Sequence, residues 1–341
     1  MVYLLQALVE LNIEHINWQL KHAFNLSIHK RRQTPAVLLY LEHNGITGVG
    51  EVALPPYLKP TQSQVTSCLS ALALEKINLS NWTAFQKSLA AISSELKDNL
   101  AALSGIDMAL HHLYCQLHQT TVSALYNLPI NTSKCTSFTI TPDKESILVE
   151  KLDMAVPFKI LKVKLGSQND QAFISLLRKY TDKPFFVDVN QGWKSVSEAI
   201  ELAQFLADQN VLLIEQPFEK TNLDWHQKLK EKISIPIIAD ESFHAKEDLP
   251  TVSSAFDGIN IKLSKCGGIA KAYDLIVAAK KYNLKLMLGC MTSSTLAIQA
   301  ANHFSSCCDF IDLDGAFLIQ NDPFYGLKLK DGVLDASNVF I

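Results

Sequence analysis

The feature that most constrains this chain is a periodic series of chemically active residues at the ends of short apolar runs. From about residue 130 onward, such runs alternate with helix-patterned stretches: KILKVKL, PFFVDVN, VLLIEQP, IPIIADE, GINIKLS, KLMLGCM and FIDLDGA. They finish at Lys164, Asp188, Glu215, Asp240, Lys262, Cys290 and Asp312, at separations of 24, 27, 25, 22, 28 and 22 residues. A short apolar run followed by a helical stretch is one βα unit, and its repetition demands parallel strands covered by helices. The period suits a (β/α)8, TIM-type barrel, with the segment at 135–141, CTSFTIT, as its first strand. The C-terminal strand ends of such a barrel meet on one face, so residues at this period converge in space. A charge at the end of an apolar strand is costly to bury unless it is paired or coordinated. One could be a structural ion pair; a whole series in register marks a site.

Ahead of the barrel the texture differs. Residues 36–53 read as two strands joined at Asn44-Gly45, a strong hairpin signal. Gly45, Gly48 and Gly50 superficially suggest a nucleotide loop, but such a loop must open a helix, and this one feeds a second strand. Residues 62–127 are helical in pattern, with Leu103, Ile106, Leu110, Leu113 and Leu117 on one face. His111 and His112 in that stretch have no partner at ligand-like spacing and read as packing residues. The expected organisation is an α+β capping domain over 1–128, a barrel over 129–319, and a tail over 320–341 that returns to the cap.

Composition excludes several classes. With 48% apolar and 19% charged residues and a net charge of -3, the chain is a globular protein with a large core and no basic surface for nucleic acid. Its one basic cluster is Lys30-Arg31-Arg32. Seven cysteines without a CxxC pair read as reduced thiols in a cytoplasmic protein. The apolar start lacks a positive n-region, Glu10 and Glu14 interrupt it, and no membrane span is expected.

Asp188, Glu215 and Asp240 come from three consecutive strands. Three hard oxygen ligands without His or Cys suit Mg²⁺, one per active site, and argue against zinc. Asn190 and Glu241 stand where they can hold those ligands in position. Lys162 and Lys164 alternate with Leu161, Val163 and Leu165, so both lysines face the barrel interior. Lys262 ends the sixth strand, half a circumference away. Cations crowded near a divalent metal disfavour each other's charge, which helps one of them act as a base. A carbon held between the second and sixth strands can lose a proton on one face and regain it on the other, which inverts its configuration.

Together, KVKLG, DVNQGW, IEQP, ADES, NIKLSKCGG and the late DLD resemble the enolase superfamily, in its muconate-lactonising-type subgroup, and within that the dipeptide epimerases. The resemblance spans nearly the whole chain. It implies that Lys164, with Lys162 beside it, is the base on one face and that Lys262 is the acid/base on the other. It implies that Asp188, Glu215 and Asp240 bind Mg²⁺, which holds the substrate carboxylate and stabilises an enediolate. Asp312 and Asp314 would grip the α-ammonium of a dipeptide. Where many relatives carry a glutamate after the seventh strand, this chain has Ser293.

The resemblance also bears on substrate. In relatives selective for Ala-Glu, an arginine of a capping-lobe loop meets the acidic side chain. Here His29 falls at that position, with Arg31 and Arg32 close behind, and the apolar Leu54-Pro55-Pro56-Tyr57-Leu58 can wall off solvent. A cationic loop favours an acidic dipeptide of the L-Ala-D/L-Glu type, as in cell-wall peptide recycling. If the basic trio merely faces water, Tyr57 and Leu58 would set a hydrophobic preference instead. An N-succinylamino-acid racemase or o-succinylbenzoate synthase would bring substrates without an ammonium, which Asp312 and Asp314 would repel. A metal-stabilised binding scaffold would need no lysine base. The expected partner is a small dipeptide rather than nucleic acid or membrane, in a homo-oligomer.

Overall fold

The structure, a computed structural model, describes residues 9–25, 30–129, 134–324 and 326–335. It opens with an antiparallel sheet of β1 (Glu10–Asn25), β2 (Lys30–His43) and β3 (Ile46–Ala53). β2 and β3 turn at Asn44 and Gly45, with φ of 52° and 76°, as a two-residue type I′ hairpin requires. A Cβ on Gly50 would lie 2.1 Å from Gly105 O, so that strand glycine lets the sheet press against a helix backbone. The helix is α3 (Leu100–Leu117), preceded by α1 (Gln62–Ser70) and α2 (Trp82–Glu95) and followed by the single turn α4 (Val122–Leu125). Every residue of α3 from Ala101 to Cys115 is buried, because the sheet covers one side of the helix and the barrel the other. His111 contacts Asp107 O and the Tyr126 hydroxyl, and His112 accepts from Val49 N–H, so both histidines serve packing.

Eight parallel strands follow, paired in chain order: β4 (Ser137–Ile140), β5 (Ile160–Lys164), β6 (Phe185–Asp188), β7 (Val211–Glu215), β8 (Ile237–Ala239), β9 (Gly258–Ile261), β10 (Lys285–Gly289) and β11 (Phe310–Asp312). A bridge between Thr136 and Ile311 closes the ring. Around it lie α5 (Glu145–Met154), α6 (Asp170–Arg178), α7 (Val196–Ala207), α8 (Leu223–Lys230), α9 (Leu249–Ala255), α10 (Leu263–Cys266), α11 (Ile269–Lys280) and α12 (Thr295–Asn302). The expected barrel is present, with one refinement. Directly after β11 comes the 3-10 turn Gly315–Leu318, and among the described residues no helix covers the eighth strand.

Instead the chain turns back to the capping sheet, where Ile319 bridges Leu20 and Gln320 N–H bonds Gln19 O at 2.9 Å. The rest of the tail goes elsewhere. Its hairpin, β12 (Lys328–Lys330) and β13 (Val333–Asp335), meets the start of β4, where Thr136 N–H donates to Gly332 O at 2.9 Å. Among the described residues, the tail expected to return to the cap therefore divides, and its hairpin packs where the chain enters β4 and β5.

Strand alternation explains where the chemistry sits. Residues two apart share a face. Ile160, Phe186, Leu213, Ile238, Met287 and Phe310 pack together as an apolar floor inside the ring. Two residues further along five of those strands come Lys162, Asp188, Glu215, Asp240 and Asp312. The intervening Leu161, Val187, Ile214, Ala239 and Ile311 point outward beneath the helices. The capping unit is fastened above by two buried carboxylates. Asp107 accepts from Ile269 N at 2.5 Å, and Glu51 from Ser294 N at 3.0 Å, each satisfying an orphan donor at the start of a barrel helix.

Candidate active site

Four lysines and four carboxylates interlock above the floor. Lys162 Nζ lies 3.0 Å from Asp188, 2.7 Å from Glu215 and 2.8 Å from Asp312. Lys164 Nζ reaches Asp188 at 2.5 Å. Lys262 Nζ contacts Asp240 at 2.7 Å and lies 4.0 Å from Glu215. Lys265, at the end of α10, closes on the same Asp240 side chain and also bonds its main-chain carbonyl at 2.7 Å. All eight groups are buried. Lys164 and Lys262 thus stand on the second and sixth strands, with the acids of the third, fourth and fifth strands between them.

Burial and mutual repulsion set the charges. Burial raises Asp188, but Lys162 and Lys164 outweigh it and hold the carboxyl down at about 2. Burial likewise opposes ionisation of Asp240, and Lys262 and Lys265 still keep it well below the carboxylate range. Glu215 goes the other way, pushed up to about 7 by burial and then by Asp188, with Asp240 adding to it. Lys162 is held well above the usual lysine range, against burial, by Asp188, Asp312 and Glu215.

The wall is built from the eighth strand and the cap. Asp312 accepts from Ser137 Oγ at 2.6 Å and from Lys162, whereas Asp314 accepts the Thr139 N–H at 2.6 Å. Burial first and Asp312 second push Asp314 up to about 7. From the cap, Arg31 donates to Thr292 Oγ1 at 3.2 Å and lies 4.8 Å from the Phe24 ring centroid. Its Nε is buried without a partner, and among the described residues no carboxylate pairs with it. Tyr57 is 46% exposed through its ring, yet its hydroxyl is deep in the site, where it donates to Met291 Sδ. Burial pushes that hydroxyl up to about 12, opposed by Lys262 and Arg31.

Lys162, Lys164, Lys262, Asp240, Asp312, Asp314, Arg31 and Tyr57 line one cavity of about 110 Å³, which also touches Cys290 and Leu318. Two larger cavities, about 480 and 500 Å³, lie at the α6–α7 side and between α2 and α11. Neither contains the interlocked acids and lysines, so chemistry rather than size identifies the site.

Asp188, Glu215 and Asp240 lean on lysines. Among the described residues, no three His, Cys, Asp or Glu side chains already converge in metal-ligand geometry. The donor set nevertheless fits a hard divalent cation. All its groups are oxygens, and burial together with the neighbouring Asp188 raises Glu215. Glu215 Oε2 contacts Lys162 without hydrogen-bond geometry, and the buried Asn190 Oδ1 and Glu241 Oε2 have no donor. Asn190 Nδ2 reaches Glu241 Oε1 at 3.4 Å, a link between the two residues expected to support the ligands.

One sequence expectation is corrected. Lys30, Arg31 and Arg32 do not form a loop; they open β2, and alternation sends Arg31 into the site and Arg32 outward to solvent. Arg32 therefore does not line the cavity described above. His29 lies outside the described residues. Ser293 is buried with its hydroxyl turned onto Met291 O, so it does not stand in the cavity. Sequence reading missed Lys265, Asn260, Phe24 and Thr292. Asn260, which donates to Glu215 at 2.8 Å, was findable two residues before Lys262 on the same strand face. Lys265, three residues after Lys262, was findable one helical turn on. Phe24 and Thr292 carried no local signal.

Residues 147–336 match the family described as "Enolase C-terminal domain-like", and residues 8–126 match "Mandelate racemase / muconate lactonizing enzyme, N-terminal domain". The chain is 36% identical over 322 residues to the L-Ala-D/L-Glu epimerase of Bacteroides thetaiotaomicron, covering 94% of this chain and 84% of that one. It is 33% identical over 331 residues to the L-Ala-D/L-amino acid epimerase of Flavobacterium johnsoniae, covering 97% and 98%. It superposes with a TM-score of 0.84 and 25% identity on a dipeptide epimerase from Enterococcus faecalis complexed with Mg and L-Leu-L-Tyr, covering 95% of each chain.

Proposed function

The chain belongs to the mandelate racemase/muconate lactonizing enzyme branch of the enolase superfamily, and from that premise we propose that it is a dipeptide epimerase. The reaction is a 1,1-proton transfer at Cα of the dipeptide's C-terminal residue. The observation that carries this reading is the placement of Lys164 and Lys262 on opposite sides of the three acids. One lysine, neutral, takes the Cα proton from one face of the carbon. The other, as an ammonium, returns a proton to the opposite face, and the two exchange roles for the reverse reaction. Lys162, tied to Asp188, Glu215 and Asp312, remains a fixed cation beneath the reacting carboxylate.

Asp188, Glu215 and Asp240 would hold one Mg²⁺, supported from behind by Asn190 and Glu241. When bound, that ion supplies positive charge at the substrate carboxylate, which acidifies Cα and stabilises the enediolate. Lys262 and Lys265 on Asp240, and Asn260 on Glu215, orient those carboxylates.

Asp314 and Asp312 would receive the dipeptide's α-ammonium, Asp314 being the less committed of the two. That pairing disfavours N-succinylated or wholly anionic substrates. Arg31 supports an acidic C-terminal side chain, because a part-buried guanidinium without a carboxylate partner among the described residues can pair with one. The preferred substrate is then of the L-Ala-D/L-Glu type, which puts the reaction in cytoplasmic recycling of cell-wall peptides. A hydrophobic dipeptide is the second reading, favoured by the Tyr57 ring and Met291 at the same end.

Incubating the Mg²⁺-loaded protein with Ala-Glu, Ala-Leu and Ala-Lys in deuterated water tests this. Deuterium should enter Cα of the second residue together with loss of optical purity, fastest for Ala-Glu. Incorporation into no dipeptide would end the epimerase reading; Ala-Leu as the best substrate would replace the acidic preference with the hydrophobic one.

A further inference from the structure

Glu51 is a buried acid outside this chemistry. Near the end of β3 in the capping sheet, it accepts from one indole and from the backbone and hydroxyl of one serine. Oε1 accepts from Trp18 Nε1 at 2.8 Å, while the two oxygens share Ser294 N at 3.1 and 3.0 Å and Oε2 also accepts the Ser294 hydroxyl. Ser294 is the N-cap of α12, so a carboxylate from the cap completes the start of a barrel helix.

The residues just before Ser294 are the ones against which the substrate's side-chain end is built. Met291 receives the Tyr57 hydroxyl, and Thr292 Oγ1 accepts from Arg31 and shares a hydrogen bond of 2.6 Å with the buried Thr34 hydroxyl. On the far side the segment is pressed by the chain that carries Asp314. A Cβ on Gly315 would lie 2.1 Å from Met291 O and 3.1 Å from Ser293 N. The segment from Met291 to Ser294 is therefore held between the cap and the eighth strand, and Glu51 is its anchor on the cap side. Arg31, Thr34 and Glu51 all come from the one capping sheet, so their spacing fixes how far Arg31 stands from Thr292.

We propose that Glu51 is a positioning residue for substrate selectivity: by holding Ser294 it sets the distance between Arg31 and the wall formed by Met291 and Thr292. It touches neither substrate nor the reacting lysines. Its effect therefore falls on recognition of the C-terminal side chain and leaves proton transfer alone. Burial, which pushes Glu51 up to about 7, is opposed by the Ser294 and Trp18 donors, consistent with a carboxylate retained for its contacts. The helix keeps a second cap without it, since Thr295 N also donates to Asp322 at 2.7 Å.

This inference rests on the epimerase reading, and the experiment separates the two. Steady-state epimerisation of Ala-Glu and Ala-Leu is measured for the wild type, Glu51→Ala, Glu51→Gln and Ser294→Ala, with thermal unfolding followed in parallel. Glu51→Ala should cut the Ala-Glu over Ala-Leu ratio of kcat/KM at least tenfold, through KM, while kcat stays within threefold. Ser294→Ala should move the ratio in the same direction by a smaller factor. Glu51→Gln, which keeps one acceptor and the same shape, should restore most of it. A ratio unchanged in Glu51→Ala, or kcat falling in equal proportion for both dipeptides, overturns the proposal. If Glu51→Ala does not fold, an unchanged ratio in Ser294→Ala overturns it and a lowered one supports it. A wild type that epimerises neither dipeptide sinks the functional reading itself, whereas an active wild type with unmoved variants sinks only the role of Glu51.

Discussion

Replacing Arg31 with Met should separate function from stability in opposite directions. The guanidinium is part-buried against Phe24, its Nε has no partner, and burial lowers its hold on the proton. It keeps one hydrogen bond to Thr292, worth about 1 kcal/mol, and a ring contact worth roughly 0.5–2 kcal/mol. Against these stands desolvation of a charge without a counter-ion, which reaches several kcal/mol in order of magnitude. Methionine keeps most of the apolar stem and removes the charge. Thermal stability should therefore hold or rise, since the terms lost do not exceed the penalty relieved. Binding moves the other way. A charge-assisted bond to a substrate carboxylate is worth about 1.5–3 kcal/mol, or roughly a 10- to 150-fold loss in kcat/KM for Ala-Glu. Ala-Leu, with no carboxylate to lose, should change by less than about threefold on the same reasoning. Differential scanning calorimetry and parallel kinetics with the two dipeptides measure both halves. An equal fall for both substrates, or an unchanged Ala-Glu rate, would refute the pairing of Arg31 with an acidic side chain. A clear drop in melting temperature would refute the desolvation argument.

Other outcomes follow from the same geometry. Lys164→Ala and Lys262→Ala should each abolish epimerisation, leaving Cα proton exchange on at most the one stereoisomer whose hydrogen faces the remaining lysine; near wild-type racemising activity in either would dismiss the two-face scheme. Exhaustive chelation should abolish activity, with Mg²⁺ restoring it better than Zn²⁺ because the ligands are all oxygens; full activity in protein shown by elemental analysis to be metal-free would contradict this. Because Asp314 is pushed up to about 7, it is protonated below neutrality in the free enzyme and cannot pair with the ammonium, so kcat/KM should fall as pH drops through that range. Asp314→Asn should flatten that limb and lower the plateau by roughly 10- to 150-fold; a limb that persists in the variant assigns it to another group.

The barrel and the face that carries the candidate site were legible in the sequence because both depend on local rules. A parallel strand alternates its side chains with period two, so Lys162 and Lys164 could be assigned to the interior from Leu161, Val163 and Leu165 alone. A βα unit repeats at near-constant length, so Asp188, Glu215, Asp240 and Lys262 could be brought together without any long-range contact being known. The recognition end was not legible in this way. Arg31 and Arg32 are adjacent, equally basic, and distinguished only by which face of β2 each occupies. That face is set by pairing with β1, where the register runs Gln19 to Gln33 and then, after a shift, Phe24 to Arg31. A one-residue change in that shift would exchange the two arginines. Tyr57, Thr292 and Glu51 depend in the same way on contacts between residues more than 200 positions apart. Such contacts exist only once the capping sheet has docked on the barrel, and no periodicity within either unit encodes where that docking stops.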